Sequence, residues 1–202
     1  MSGSFSPASS PARNLLGYLL RPVGQDIGNY RYTPFVSDAY GGLWSPDGKA
    51  VAYSSVVNGV RQIFLRYLNS PNPVQLTHEK RETSLMGWSS DRSHLIVIAG
   101  WSPLFKLYAV ATVGGELEFI MTTNCIPACN VSHDGKVFAT FIKGTDNSYN
   151  IEVSDPLGSA LRPYKPAPFA SKDYFNSPYL DFSPDGKKIL LFRAGRRRSD
   201  SS

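Results

Sequence analysis

The chain has 202 residues and a mass of 22.2 kDa, which suits one domain or one and a half small ones. Hydrophobic residues make up 42% of it and charged residues 18%, a balance that supports a packed core and excludes a wholly disordered chain. The net charge of +5 comes largely from the C-terminal ten residues, where four arginines face one aspartate. The remainder is close to neutral, so we expect no nucleic-acid partner.

The N-terminal segment, residues 1–29, is predicted to be disordered or a linker, because positions 1–13 are rich in serine and proline. The apolar cluster at 14–22 is interrupted by Gly17 and lacks a small-residue cleavage pattern, which argues against a signal peptide. No apolar run approaches the roughly 18–20 residues of a membrane span, so none is expected. The compartment stays open between the bacterial periplasm and cytoplasm. Residues 196–202 are predicted to be a basic polar tail.

Short strand-like runs separated by turn residues begin at about residue 30. Within 62–68, Ile63, Leu65 and Tyr67 recur at every second position and fall on one face, the period of a strand. Asn58 and Gly59 precede this run, and both tolerate positive φ, so they predict a tight hairpin. The pattern favours strands and turns over helices.

A short motif recurs along the chain. Trp-Ser-Pro-Asp-Gly-Lys at 44–49 returns as Phe-Ser-Pro-Asp-Gly-Lys at 182–187, with degraded copies at 88–93 and 131–136. The four aspartates are 44, 43 and 51 residues apart. Strand-like runs follow each copy, and a four-stranded unit of this length in tandem is typical of a β-propeller blade. The motif positions that we assign to the repeat turns are Trp44, Pro46, Asp47, Gly48, Trp88, Asp91, Asp134, Gly135, Phe182, Pro184, Asp185 and Gly186.

The motif has a mechanical explanation. Proline presets φ for a type I turn, and glycine accepts the left-handed conformation that closes the hairpin. The apolar residue before each serine is expected to anchor its strand in the core, and the serines are expected to be turn residues rather than nucleophiles. In the second copy Arg92 replaces the glycine, so we expect a different turn there.

The motif at 44–49, with Ile-Phe-Leu-Arg at 63–66 and Gln-Leu-Thr at 75–77, resembles the Pro-Asp repeat of the TolB family of WD-like propellers. Similar repeats occur in the propeller domains of prolyl oligopeptidase-type peptidases. The resemblance covers residues 30–195 and implies an all-β fold, an incomplete β-propeller of about three and a half four-stranded blades. It implies function only weakly, because such propellers serve very different proteins.

The repeat count is low for this family, since propellers have four to eight blades. The fourth unit stops after its second strand, and the run at 31–35 reads like an outermost strand without its blade. We therefore expect a fragment or one part of a larger assembly: an open arc with exposed apolar blade faces and edges that self-associate.

Catalytic signatures are missing from the sequence: there is no Gly-x-Ser-x-Gly elbow, kinase signature or phosphate-binding loop. Cys125, Cys129 and His133 are spaced by four, but along a strand that spacing is too long for ligands of one ion. A Cys125–Cys129 disulfide would need a tight loop around Pro127, and we expect two small buried residues instead. No catalytic residue, metal or cofactor is expected.

An aromatic loop at 173–179 precedes the last innermost strand, where propeller loops open onto a face of the ring. Tyr174, Phe175 and Tyr179 are its candidate partner contacts. The leading interpretation is a non-catalytic module that binds a protein or peptide, as part of a larger bacterial sensor or scaffold such as a kinase- or regulator-attached propeller. The alternative is the propeller portion of a prolyl oligopeptidase-type serine peptidase without its catalytic domain.

Overall fold

The computed structural model describes residues 39–101, 104–125, 128–143, 149–164 and 179–192, all within the unit Val36–Ser202. These residues form fourteen strands and no helix, hence none that could cross a membrane. Three predicted regions lie outside the described residues: the N-terminal segment 1–29, the run at 31–35 and the basic tail 196–202. The strands are β1 (Ala39–Trp44), β2 (Ala50–Val57), β3 (Val60–Tyr67), β4 (Val74–Gln75), β5 (Thr83–Trp88), β6 (His94–Trp101), β7 (Leu104–Ala111), β8 (Glu118–Thr123), β9 (Cys129–Val131), β10 (Phe138–Lys143), β11 (Tyr149–Ser154), β12 (Arg162–Pro163), β13 (Tyr179–Phe182) and β14 (Ile189–Phe192).

Three four-stranded antiparallel sheets and a two-stranded one follow each other along the chain. Strands β1–β4, β5–β8 and β9–β12 pair in sequence order and form blades 1, 2 and 3, and β13 pairs with β14 in blade 4. The first strands of successive blades are neighbours, with β5 packed against β1 and β9 packed against β5 and β13. The predicted partial all-β propeller is confirmed.

Each blade buries apolar side chains on both faces, because every second residue of a strand points to the opposite side of the sheet. In β6, Leu95 and Val97 pack against blade 1, whereas Ile96 packs against blade 3. In β10, Phe138 faces blade 2 and Phe141 faces blade 4. Complete burial of such a side chain stabilises the fold by about 1.5–3 kcal/mol, so the blades depend on one another.

The expected anchoring of the residue before each serine holds in three blades of four. Trp88, Val131 and Phe182 are 8%, 5% and 5% exposed, but Trp44 is 63% exposed. The prediction is wrong for Trp44, because this position is covered by the preceding blade and no described blade precedes blade 1. Tyr53, on the same face of blade 1 as Trp44, is nevertheless buried.

The predicted Asn-Gly hairpin joins β2 and β3. Asn58 and Gly59 have φ values of 52° and 79°, and the strands pair in register up to Val57 and Val60. The predicted strand at 74–77 is shorter, because the side-chain oxygen of Thr77 accepts the N–H of Ile63 at 2.9 Å. A side chain therefore takes the place of a backbone carbonyl at this point.

Candidate functional site

The four repeat turns share one hydrogen-bond pattern. In each turn the serine hydroxyl donates to the aspartate two residues later, at 2.5–2.7 Å. The same hydroxyl oxygen accepts a backbone N–H five residues later, at 2.8–3.0 Å. Donation by serine is the largest cause that lowers the pKa of all four aspartates, Asp47, Asp91, Asp134 and Asp185. These carboxylates are ionised at neutral pH and hold the turns closed.

The turn at Arg92 keeps the shape of the other three, contrary to the expectation from its sequence. Arg92 has a φ of 65°, and its N–H donates to the carbonyl of Ser89 at 2.9 Å. An L-residue in this conformation costs about 1–2 kcal/mol. The hydrogen bonds of the turn outweigh that cost.

A serine, a histidine and an aspartate meet beside this turn, but not in the order that activates a nucleophile. The Ser93 hydroxyl lies 2.6 Å from His94 Nδ1 and 2.6 Å from an Asp91 carboxylate oxygen. A catalytic triad needs the histidine between the other two, so that the acid orients the base. Here Ser93 lies between the aspartate and the histidine, and its hydrogen bond to Asp91 stabilises the turn.

The cysteines are joined, so the expectation of two unlinked thiols is wrong. Cys125 and Cys129 form a disulfide with their Cα atoms 5.3 Å apart, a separation within the usual range for disulfides. His133 lies elsewhere and its Nε2 is 3.2 Å from the Phe182 carbonyl oxygen. Among the described residues, no group of His, Cys, Asp or Glu is placed to hold a metal ion.

Of the three aromatic contact candidates, Tyr174 and Phe175 lie outside the described residues. Tyr179 is 49% exposed, and its hydroxyl donates to Asp181 at 3.0 Å. That hydrogen bond raises the pKa of Tyr179. The Tyr179 hydroxyl is therefore engaged within β13, and the residue is half-exposed.

The segment that joins blades 1 and 2, residues 76–82, is clamped by a buried amide. Gln62 is 3% exposed; its Nε2 donates to the Glu79 carbonyl at 2.7 Å, and its Oε1 accepts the Glu79 N–H at 3.0 Å. The Thr77 hydroxyl donates to the same Oε1 at 2.8 Å. This network holds the linker in one conformation against blade 1.

The linker forms one wall of a groove of about 630 Å³, which we call the rim groove. Its other wall comes from blade 2, at the β6–β7 hairpin and the two residues before β8. Leu104, at the groove, is 64% exposed, and Phe119, beside it, is 59% exposed. Residues that line the groove include Glu79, Lys80, Arg81, Leu104, Lys106, Tyr108 and Glu116.

Aromatic and cationic groups meet at this groove. The rings of Tyr108 and Phe119 lie edge to face with centroids 5.9 Å apart, and Lys106 Nζ is 6.0 Å from the Phe119 centroid. Lys80, Arg81 and Lys106 are not among the described ion pairs, which all lie at other sites. Sequence reasoning missed the groove because its walls come from segments far apart in the chain.

Comparisons with solved structures give the same architecture. A TolB structure from Agrobacterium tumefaciens superposes with a TM-score of 0.60 at 19% identity, over 80% of this chain and 57% of that one. TolB from Acinetobacter baumannii gives 0.52 at 19% identity, over 73% and 36%. Acylaminoacyl peptidase from Pyrococcus horikoshii gives 0.54 at 17% identity, over 82% and 29%. The chain thus has a TolB-like propeller fold and spans less than two thirds of the length of these structures.

Comparison by sequence adds nothing to this. No protein-family model matches the chain, and no curated protein matches it.

Proposed function

We propose that the chain is a non-catalytic propeller module that binds a protein or peptide segment in the rim groove, within a larger bacterial sensor or scaffold. One observation carries the proposal: Leu104 is 64% exposed at the groove, next to the cationic Lys80, Arg81 and Lys106. Exposed apolar surface rimmed by polar groups is typical of an interaction site.

The mixed chemistry of the groove favours a peptide over a polyanion. Lys80, Arg81 and Lys106 are opposed by Glu79 and Glu116 within the same lining. A nucleic acid or acidic polysaccharide would pair with the three cations and leave the two glutamates unmatched, whereas a peptide offers apolar and oppositely charged side chains together. The clamp on Glu79 leaves the linker wall ordered before binding, which reduces the entropic cost of association.

The test is a peptide selection. A library of displayed random peptides is panned on the full chain, and the dissociation constants of the enriched peptides are measured by fluorescence polarisation. Leu104→Glu should weaken them by about tenfold or more, because the contact of an apolar peptide side chain with Leu104 is lost and a carboxylate is left in its place.

Leu68→Glu is the matched control. Leu68 is 50% exposed and follows β3, outside the rim groove, so its substitution should leave the affinities unchanged. Failure to enrich any peptide, or equal affinities for the Leu104→Glu and parent chains, would refute the proposal.

A second candidate follows from the structural similarity to acylaminoacyl peptidase, which extends over 82% of this chain: the propeller portion of a prolyl oligopeptidase-type serine peptidase. The coding DNA beyond codon 202, read in all frames, separates the two. A following α/β-hydrolase domain favours the peptidase. A kinase or winged-helix region upstream favours the sensor.

A further inference from the structure

The four repeat turns do not pack alike at the blade junctions. At the junction of blades 2 and 3, a Cβ on Gly135 would collide with the Trp88 carbonyl oxygen and lie 2.7 Å from Ser89 C and Ser90 N. The third turn therefore touches the second without space for a side chain. At the junction of blades 1 and 2 the equivalent position holds Arg92, and a cavity of about 290 Å³ separates it from the first turn.

This cavity, which we call the turn cavity, has an apolar floor and one charge of each sign. Ala50, Leu65 and Trp88 are 2%, 1% and 8% exposed and line it, with Arg92 on one turn and Asp47 on the other. Arg92 and Asp47 form no ion pair with each other; Asp47 lies 3.9 Å from Lys49 Nζ. Arg92 appears in none of the ion pairs of the described residues.

Trp88, which lines the cavity, also carries an unpaired donor. The Trp88 Nε1–H is buried and has no acceptor among the described residues. A buried donor without a partner is costly and is normally satisfied by protein, water or ligand.

We propose that the turn cavity binds a free amino acid with an apolar side chain. Its carboxylate would pair with Arg92, its ammonium group with Asp47, and its side chain would cover Trp88 and Leu65. This ligand matches both charges and the floor at once. This role would explain why a strained arginine replaces glycine in this turn. Arginine forms strong charge-assisted hydrogen bonds with carboxylates, and glycine has no side chain to form them. The turn cavity shares no lining residue with the rim groove and does not depend on the function proposed there.

The experiment follows the three tryptophan indole N–H signals of the ¹⁵N-labelled full chain while L-leucine is added to millimolar concentrations. The expected result is a saturable shift of the Trp88 signal, assigned through Trp88→Phe. N-acetyl-L-leucine lacks the ammonium group, L-leucinamide the carboxylate and glycine the side chain. Each should bind about tenfold more weakly or worse, since each loses one of the three contacts.

Arg92→Gly restores the residue of the other turns and should weaken leucine binding by about tenfold or more, while Arg92→Lys should retain part of the affinity. Lys187→Ala, which removes a cation beside the fourth turn, is the matched control and should bind as the parent does. The proposal is overturned if no tryptophan signal shifts saturably, or if Arg92→Gly binds as tightly as the parent. Equal binding of N-acetyl-L-leucine would also overturn it and assign the cavity to a peptide C terminus.

Discussion

The junction of blades 2 and 3 and the junction of blades 1 and 2 use the same turn in two ways. In the first, Gly135 lies directly on the backbone of the preceding turn. In the second, Arg92 has the same left-handed backbone, but a cavity lies between it and the preceding turn. The comparison teaches that the turn is held by its own hydrogen bonds whichever residue takes the left-handed position. Glycine alone does not bring neighbouring turns together, because a Cβ on Gly186 at the junction of blades 3 and 4 would still lie 4.0 Å from Ser132 Cβ.

The largest expected effect is at the closed junction. Gly135→Ala should lower the free energy of unfolding by about 2–4 kcal/mol, because a side chain must adopt positive φ and also displace the second turn. Urea denaturation followed by tryptophan fluorescence measures it.

Gly48→Ala is the control for the backbone strain alone. Gly48 has a φ of 70° with nothing within 4 Å of its Cβ position, so this change should cost only about 1–2 kcal/mol. Equal losses at Gly135 and Gly48 would contradict the close packing of the second and third turns.

A smaller effect of opposite sign is expected at the open junction. Arg92→Gly should raise the free energy of unfolding by about 1 kcal/mol, because glycine adopts this φ without strain. The shift in thermal midpoint, measured without added ligand, checks it. A less stable Arg92→Gly chain would mean that the arginine side chain contributes more to folding than its strain removes.

The smallest expected effect is on the free energy of unfolding at acidic pH. The pKa of Asp91 is lowered from its ordinary value of 3.8, first by the hydroxyl of Ser89 and then by that of Ser93. A carboxyl with a depressed folded-state pKa stabilises the protein above its unfolded pKa, and this contribution is lost as pH falls through the folded value. Unfolding free energy should therefore fall below about pH 4.

Asp91→Asn should make that decline shallower than in the parent chain, since one of the four turn carboxylates no longer titrates. Urea titrations at a series of acidic pH values give the slopes. An unchanged slope would show that the hydrogen bonds from Ser89 and Ser93 do not couple Asp91 ionisation to folding.

Much of the fold could be predicted from local pattern. The Asn58-Gly59 hairpin and the four-stranded repeat were accessible because turn chemistry and strand period depend on neighbouring residues. The exposure of Trp44 was not, because burial at that position depends on a preceding blade rather than on the motif. The Cys125–Cys129 disulfide was missed because it was expected to need a tight loop around Pro127, and the 5.3 Å separation of the two Cα atoms is known only from the structure.

The candidate surfaces were less predictable than the fold. The rim groove combines the linker with the β6–β7 hairpin, and its clamp depends on Gln62, which nothing in the local sequence distinguishes from any other strand glutamine. Arg92 was visible as a departure from the motif, but the pattern favoured a changed turn rather than a retained one.

By itself, the sequence determined that strands recur in units of four and that a turn containing serine and aspartate follows the first strand of each unit, because both properties arise from short-range backbone preferences. Only the tertiary structure decided which turns touch, which leave a cavity and which apolar side chains face solvent. Those outcomes depend on distances between blades, and such distances are set by side chains that are remote in the chain and meet only when the blades pack.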